Sequence, residues 1–139
     1  SEMGNTVVAI SPDSKALYHA AAVMVSNQIV ALADMGTALL VKCGFSEAAA
    51  AEALSPLLLG NAQSVAEKGA VNALTGPIER GDAQTVSKHL QEIRKFAAES
   101  TVGQDILTAY TALSKQLIRI AQQKHPHKDY KHLEKELEQ

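Results

Sequence analysis

The chain has 139 residues and a formal charge of −2, and it is 46% hydrophobic but only 4% aromatic. That length suits one domain with a sizeable core, and abundant Ala with few aromatics suits closely packed helices better than a β-sandwich. The charge offers no concentrated basic surface for nucleic acid, and Cys43, the single cysteine, permits neither an internal disulfide nor a cysteine-rich metal site.

The first residues, Ser1-Glu2-Met3-Gly4, lack the basic region and apolar core of a signal peptide, so a cytoplasmic location is expected. Thr6-Val7-Val8-Ala9-Ile10 is a short β-branched run that ends at Ser11-Pro12. Residues 1–12 therefore read as an extended lead-in or as a connector from an upstream domain.

From Asp13 to Lys42 the pattern predicts one long helix of about 30 residues, roughly 45 Å. Asp13 is the expected cap and Gly44 the expected stop. Ala16, Leu17, Ala20–Val25, Ile29–Ala33 and Leu39–Val41 leave almost no polar face, which predicts burial at the centre of a helical bundle. Lys15, His19, Asn27, Gln28 and Asp34 interrupt the run before the ~18–20 apolar residues of a membrane span, so no membrane association is expected. At 100° per residue, Lys15, His19 and Ser26 fall within about 40° of one another. This polar stripe on an apolar helix is the first candidate site. Burial there would favour proton transfer by Lys15 or His19, whereas exposure of the first turn would leave them ordinary surface groups.

Ser46 is a plausible cap for a helix from Glu47 to about Leu54, and Pro56 suits the first turn of another running towards Gly69. Leu74-Thr75-Gly76-Pro77-Ile78-Glu79-Arg80-Gly81-Asp82 is the main interruption, with Gly76-Pro77 as breaker and Asp82 as the next cap. Arg80 in such a loop could hold a carboxylate or phosphate, or the loop could be a plain helix–helix connection. A helix follows from about Ala83 to Ala98, with Val86, Leu90, Ile93 and Ala97 on one face. The last long helix runs from about Val102 to Gln123, with Ile106, Tyr110, Leu113, Leu117 and Ile120 inward. Residues 125–139 read as a charged tail in which Lys128–Gln139, with Leu133 and Leu137 one helical turn apart, is a frayed terminal helix or a disordered end, and whose histidines His125, His127 and His132 are solvated rather than metal-binding. Cys43 is expected to have an inert packing role.

Two stretches carry a family resemblance. Tyr18-His19-Ala20-Ala21-Ala22-Val23-Met24-Val25-Ser26-Asn27, then Val30-Ala31-Leu32, resembles the first long helix of a largely uncharacterised family of two-domain, Rossmann-like oxidoreductases. Leu74 to Asp82, followed by Thr85-Val86 and His89-Leu90, resembles its second motif, and order and separation also match. The arrangement is similar to ketopantoate reductases and to the 6-phosphogluconate and 3-hydroxyisobutyrate dehydrogenases. The resemblance implies an all-α, 6-phosphogluconate dehydrogenase C-terminal-domain-like bundle over residues 13–124. It also implies NAD(P) bound on a separate N-terminal Rossmann domain, a small carbonyl or hydroxy substrate, and a homodimer. Lys15 matches the place of the catalytic Lys, with His19 one turn on, where several relatives have Asn. Ser26, Asn27, Thr75, Gly76, Pro77 and Arg80 would border the substrate cleft, Asn27 lying about 80° off the stripe. On this reading the chain alone is inactive, because it has no strand–glycine turn–helix unit for a dinucleotide. A competing reading is a non-catalytic helical module for dimerisation or partner binding. A phosphotransfer bundle using His19 is disfavoured, since Ala20, Ala21 and Ala22 follow it directly, with no Lys or Gly among them to accommodate a phosphoryl group.

Overall fold

The structure, a computed structural model, describes residues 8–139, so most of the lead-in expected over residues 1–12 lies outside the described residues. The described chain is all-α and contains no strand. After a 3₁₀ turn, Pro12–Ser14, come α1 (Lys15–Val25), α2 (Asn27–Lys42), α3 (Glu47–Ala73), α4 (Pro77–Arg80), α5 (Ala83–Glu99), α6 (Thr101–Lys124) and α7 (Lys131–Glu138). Packing divides the chain into two units, one up to Leu54 and one from Ser55 onward.

In the first unit, the expected long helix forms with one break. Ser26 takes φ −112° and ψ −74°, and its hydroxyl donates to the Ala22 carbonyl at 2.7 Å and to Asn27 Oδ1 at 3.1 Å. A hydroxyl that bonds back one turn competes with the helix ladder, which accounts for a break at this residue. Asp13 makes no capping bond, because Pro12 opens a 3₁₀ turn in which Asp13 sits inside the first turn. At the far end Gly44 adopts φ 97°, Phe45 N–H bonds to the Leu40 carbonyl at 3.1 Å, and Gly44 N–H bonds to the Val41 carbonyl at 2.9 Å. These two bonds make a Schellman stop, which needs a residue tolerant of positive φ. Ser46 then caps α3 through Ala49 N–H at 3.2 Å.

The expected burial of this helix does not occur. Neither α1 nor α2 has a buried residue, and Leu17, Tyr18, Met24, Val25 and Val30 are each more than 60% exposed. The sequence supplies an apolar surface on every side, but burial requires neighbouring elements, and within the described part of this unit no other helix packs over α1. Cys43 is likewise exposed at the end of α2 rather than packed.

Pro56 does not start a new helix. α3 runs through it and is interrupted instead at Gly69, which takes φ 75° and ψ 164°. A proline removes one ladder bond, whereas a residue with positive φ turns the backbone out of the helix altogether.

The core belongs to the second unit. α5 buries Val86, Leu90, Ile93 and Ala97, the face that its spacing predicts. Asp82 caps it, accepting Thr85 N–H at 3.0 Å and the Thr85 hydroxyl at 2.7 Å. α6 is capped by Ser100, which accepts Gly103 N–H at 3.0 Å. The buried centre of α6 is Ile106, Ser114, Ile118 and Ala121, while Leu113 is 43% exposed. The inward face is rotated from the expected one because α6 packs against α4, α5 and α7 together. Of the two readings of Lys128–Gln139, the terminal helix is the one that forms, and it is docked rather than frayed. Residues 131–138 form α7, and Tyr130, Leu133 and Leu137 join Leu74, Ile78 and Leu90 in one apolar cluster. A Leu pair one turn apart is enough to dock a charged helix when an apolar groove awaits it.

α5 and α6 meet so closely that a Cβ on Gly103 would lie 2.4 Å from the Phe96 carbonyl oxygen. Gly103→Ala is therefore expected to cost about 1–3 kcal/mol in a denaturant melt. Gly60→Ala, in an open stretch of α3 with nothing within 4 Å of its Cβ, is expected to stabilise by about 0.5–1 kcal/mol. Equal effects at the two positions would contradict the close helix contact.

Candidate functional site

Lys15 opens α1 and His19 follows one turn later, with Ser26 at the break and Asn27 at the start of α2. All four are exposed. Ser26 and Asn27 are paired with each other at the break.

Thr75, Gly76, Pro77 and Arg80 belong to the second unit, on one tight loop. Gly76, with φ 102°, lets the chain reverse after Leu74, and Pro77 occupies the first turn of α4. Gly81, with φ 73°, ends that turn, and Asp82 N–H closes it onto the Pro77 carbonyl at 2.8 Å. Ile78 is the buried anchor, 5% exposed, so Thr75 and Arg80 are left facing solvent.

The densest polar cluster of this unit centres on Glu79. Its carboxylate accepts from His125 Nε2 at 2.5 Å and lies 3.7 Å from Lys124 Nζ. Its backbone carbonyl accepts from the Tyr130 hydroxyl at 3.0 Å and from Lys128 Nζ at 3.4 Å. Lys124 Nζ also donates to the Leu74 carbonyl at 2.8 Å. The hydrogen bond from His125 holds the Glu79 carboxyl below the usual range; partial burial opposes this, and the charges of Lys124, His125 and Lys128 reinforce it. Burial, followed by the Glu79 charge, pushes the Tyr130 phenol up. A second constellation links α5 to α6. His89 Nδ1 lies 2.9 Å from the Tyr110 hydroxyl, with the rings edge to face. Burial raises the Tyr110 pKa, partly offset by a hydrogen bond with the buried Ser114.

A family model matches residues 1–117, under the description "domain of unknown function (DUF2520)". The chain belongs to that family. No curated protein and no solved structure matches it. The DUF2520 match takes in Lys15, His19 and the whole 74–82 loop, whereas Lys124, His125, Lys128 and Tyr130 lie beyond it.

Nothing in the described part of this DUF2520 chain fits a dinucleotide. There is no strand to feed a glycine turn, and α4, the element that follows Gly76, is only four residues long. No group of three or more His, Cys, Asp or Glu side chains gathers as metal ligands among the described residues. Sequence reasoning missed Glu79 and its partners because they lie 45 to 51 residues apart in the chain. It passed over His89 as part of an ordinary helix, since the Tyr110 partner sits 21 residues on.

Folding lowers the Glu79 pKa from 4.5, so its contribution to stability is complete above that value and disappears as the pH falls below it. Glu79→Gln should therefore be less stable than wild type at neutral pH, with the gap narrowing between about pH 5 and 3. A gap in urea melts that stays constant across that range would contradict the assignment.

Proposed function

We propose that this chain is the helical substrate-cleft and dimerisation domain of an NAD(P)-dependent oxidoreductase acting on a small carbonyl or hydroxy compound in the cytoplasm. The observation that carries the reading is a polar stripe, Lys15–His19–Ser26, on an otherwise apolar helix whose described residues are not buried. The resemblance of that helix and of the 74–82 loop to two-domain oxidoreductases supplies the chemical class. The nicotinamide cofactor would belong to a Rossmann domain outside the described residues.

In this reading Lys15 orients the substrate carbonyl and delivers a proton to its oxygen, and His19 assists from one turn along the same face. Ser26 and Asn27 offer a hydroxyl and an amide beside them. On the loop of the second unit, Arg80 with Thr75, Gly76 and Pro77 offers a guanidinium and accessible backbone to a carboxylate or phosphate.

The uncovered helix calls for an apolar cover, and a second copy of the chain is the proposed one. Pro12–Lys42, with mean hydropathy 1.4 in its most apolar stretch, is also long and apolar enough to cross a bilayer. Lys15, His19, Asn27 and Asp34 would then have to leave water without partners, which favours a protein cover. The same exposure supports a second reading, a dimerisation or partner-binding module without catalysis.

In the full-length protein, Lys15→Ala and His19→Ala are each expected to lower kcat/KM by about 100-fold or more. Unchanged kcat/KM in a protein that turns over would leave the non-catalytic reading. Light scattering should give a dimer of this 14.7 kDa chain, converted to monomer by Leu17→Glu with Met24→Glu. A wild-type monomer at micromolar concentration would remove the dimerisation role.

A further inference from the structure

The C-terminal end of α6 carries a concave surface that none of the readings above uses. Lys124, His125, Pro126, His127 and Lys128 line a depression of about 500 Å³. Four of these five consecutive residues are basic, in a chain whose formal charge is −2. The turn that displays them is fixed: Pro126 restricts the backbone, and Lys128 N–H bonds to the His125 carbonyl at 3.1 Å.

The basic groups are held in place without being used up. His125 and Lys124 are drawn to Glu79, and Lys124 also bonds to the Leu74 carbonyl. Lys128 Nζ makes a single long bond, 3.4 Å, to the Glu79 carbonyl, and its Nζ lies 5.9 Å from the centre of the Tyr130 ring. Each ammonium has three donors, so both lysines keep spare hydrogen-bonding capacity. Among the described residues, His127 has no hydrogen-bond partner.

Three features oppose an anion here: the Glu79 carboxylate, Asp129 next to Lys128 in the chain, and the end of α6, equivalent to about half a negative charge. The ammonium groups of Lys124 and Lys128, with Lys131 three residues on, outweigh them, and any protonated imidazole adds to the excess. The surplus is modest, so the site favours a compact, doubly charged oxyanion that can take several donors at once over a singly charged carboxylate.

We infer that the depression lined by Lys124, His125, His127 and Lys128 is a binding site for the phosphate group of a small phosphorylated compound. The volume leaves room for such a compound beyond its phosphate. The site stands independently of the oxidoreductase reading, since it uses none of the residues assigned there.

The test is a titration of the full chain with inorganic phosphate, followed by the amide and imidazole resonances of His125, His127 and Lys128. Saturable shifts with a dissociation constant of about 1–10 mM are expected. Acetate at equal ionic strength should give no saturation. His127→Gln loses no contact in the fold, and Lys128→Gln loses one long bond, so both should melt as wild type does. Each should weaken phosphate binding, Lys128→Gln by about tenfold or more. Saturation by acetate with equal affinity, or the absence of saturation with phosphate, overturns the proposal. Phosphate binding that is unchanged in both variants means an adventitious ion only and also overturns it.

Discussion

Val86 and Leu90 on α5 and Leu133 on α7 are sealed from water in one cluster, and the C-terminal unit depends on that burial. Each such side chain contributes about 1.5–3 kcal/mol relative to exposure, so a few of them match the whole net stability of a small domain. The cluster takes in Ile78, and through it the short α4 is held against the helices around it. The polar bonds from Lys124, His125, Lys128 and Tyr130 to the 74–81 stretch then fix its orientation. Net hydrogen bonds of about 1 kcal/mol each could not hold that loop unaided. They become possible because the apolar core has already brought residues some 50 positions apart into reach.

The first unit obeys a different constraint. α1 and α2 satisfy their own backbone hydrogen bonds, and the Schellman turn at Gly44 ends them cleanly, so the helix is locally complete. Its side chains are not. Leu17, Met24, Val25 and Val30 remain in water, where an apolar surface of this extent is unfavourable and attracts a complementary one. The polar stripe and the apolar surface thus lie on the same helix and await the same cover. That coincidence links dimerisation and chemistry in the proposed function: excluding water from Lys15 and His19 requires whatever buries their apolar neighbours.

The two halves also bear differently on function. The loop from Leu74 to Asp82 is anchored by the buried Ile78 and by the bonds from Lys124, Lys128 and Tyr130 to its carbonyls. Arg80 and Thr75 are consequently presented on a fixed frame. Lys15 and His19 have a rigid helix beneath them but no walls. The basic depression at the end of α6 is open to solvent but displayed on a fixed turn, and it lies outside the span matched by the family model.

Local chemistry in the sequence determined the helices and their ends: Gly44 as a stop, Ser46 and Asp82 as caps, and Val86, Leu90, Ile93 and Ala97 as one buried face. Such features depend on residues within one or two turns, and neighbours along the chain reveal them. The break at Ser26 and the continuity through Pro56 were already harder to read, because there two local preferences compete. Tertiary structure alone decided that the most apolar helix is uncovered, that α6 turns Ser114 and Ile118 inward, and that residues 131–138 complete the core. It also decided that Glu79 would meet His125. Burial and pairing of this kind depend on distances between segments that are remote in the chain, and hydrophobic periodicity reports only that a face must be covered, never by what.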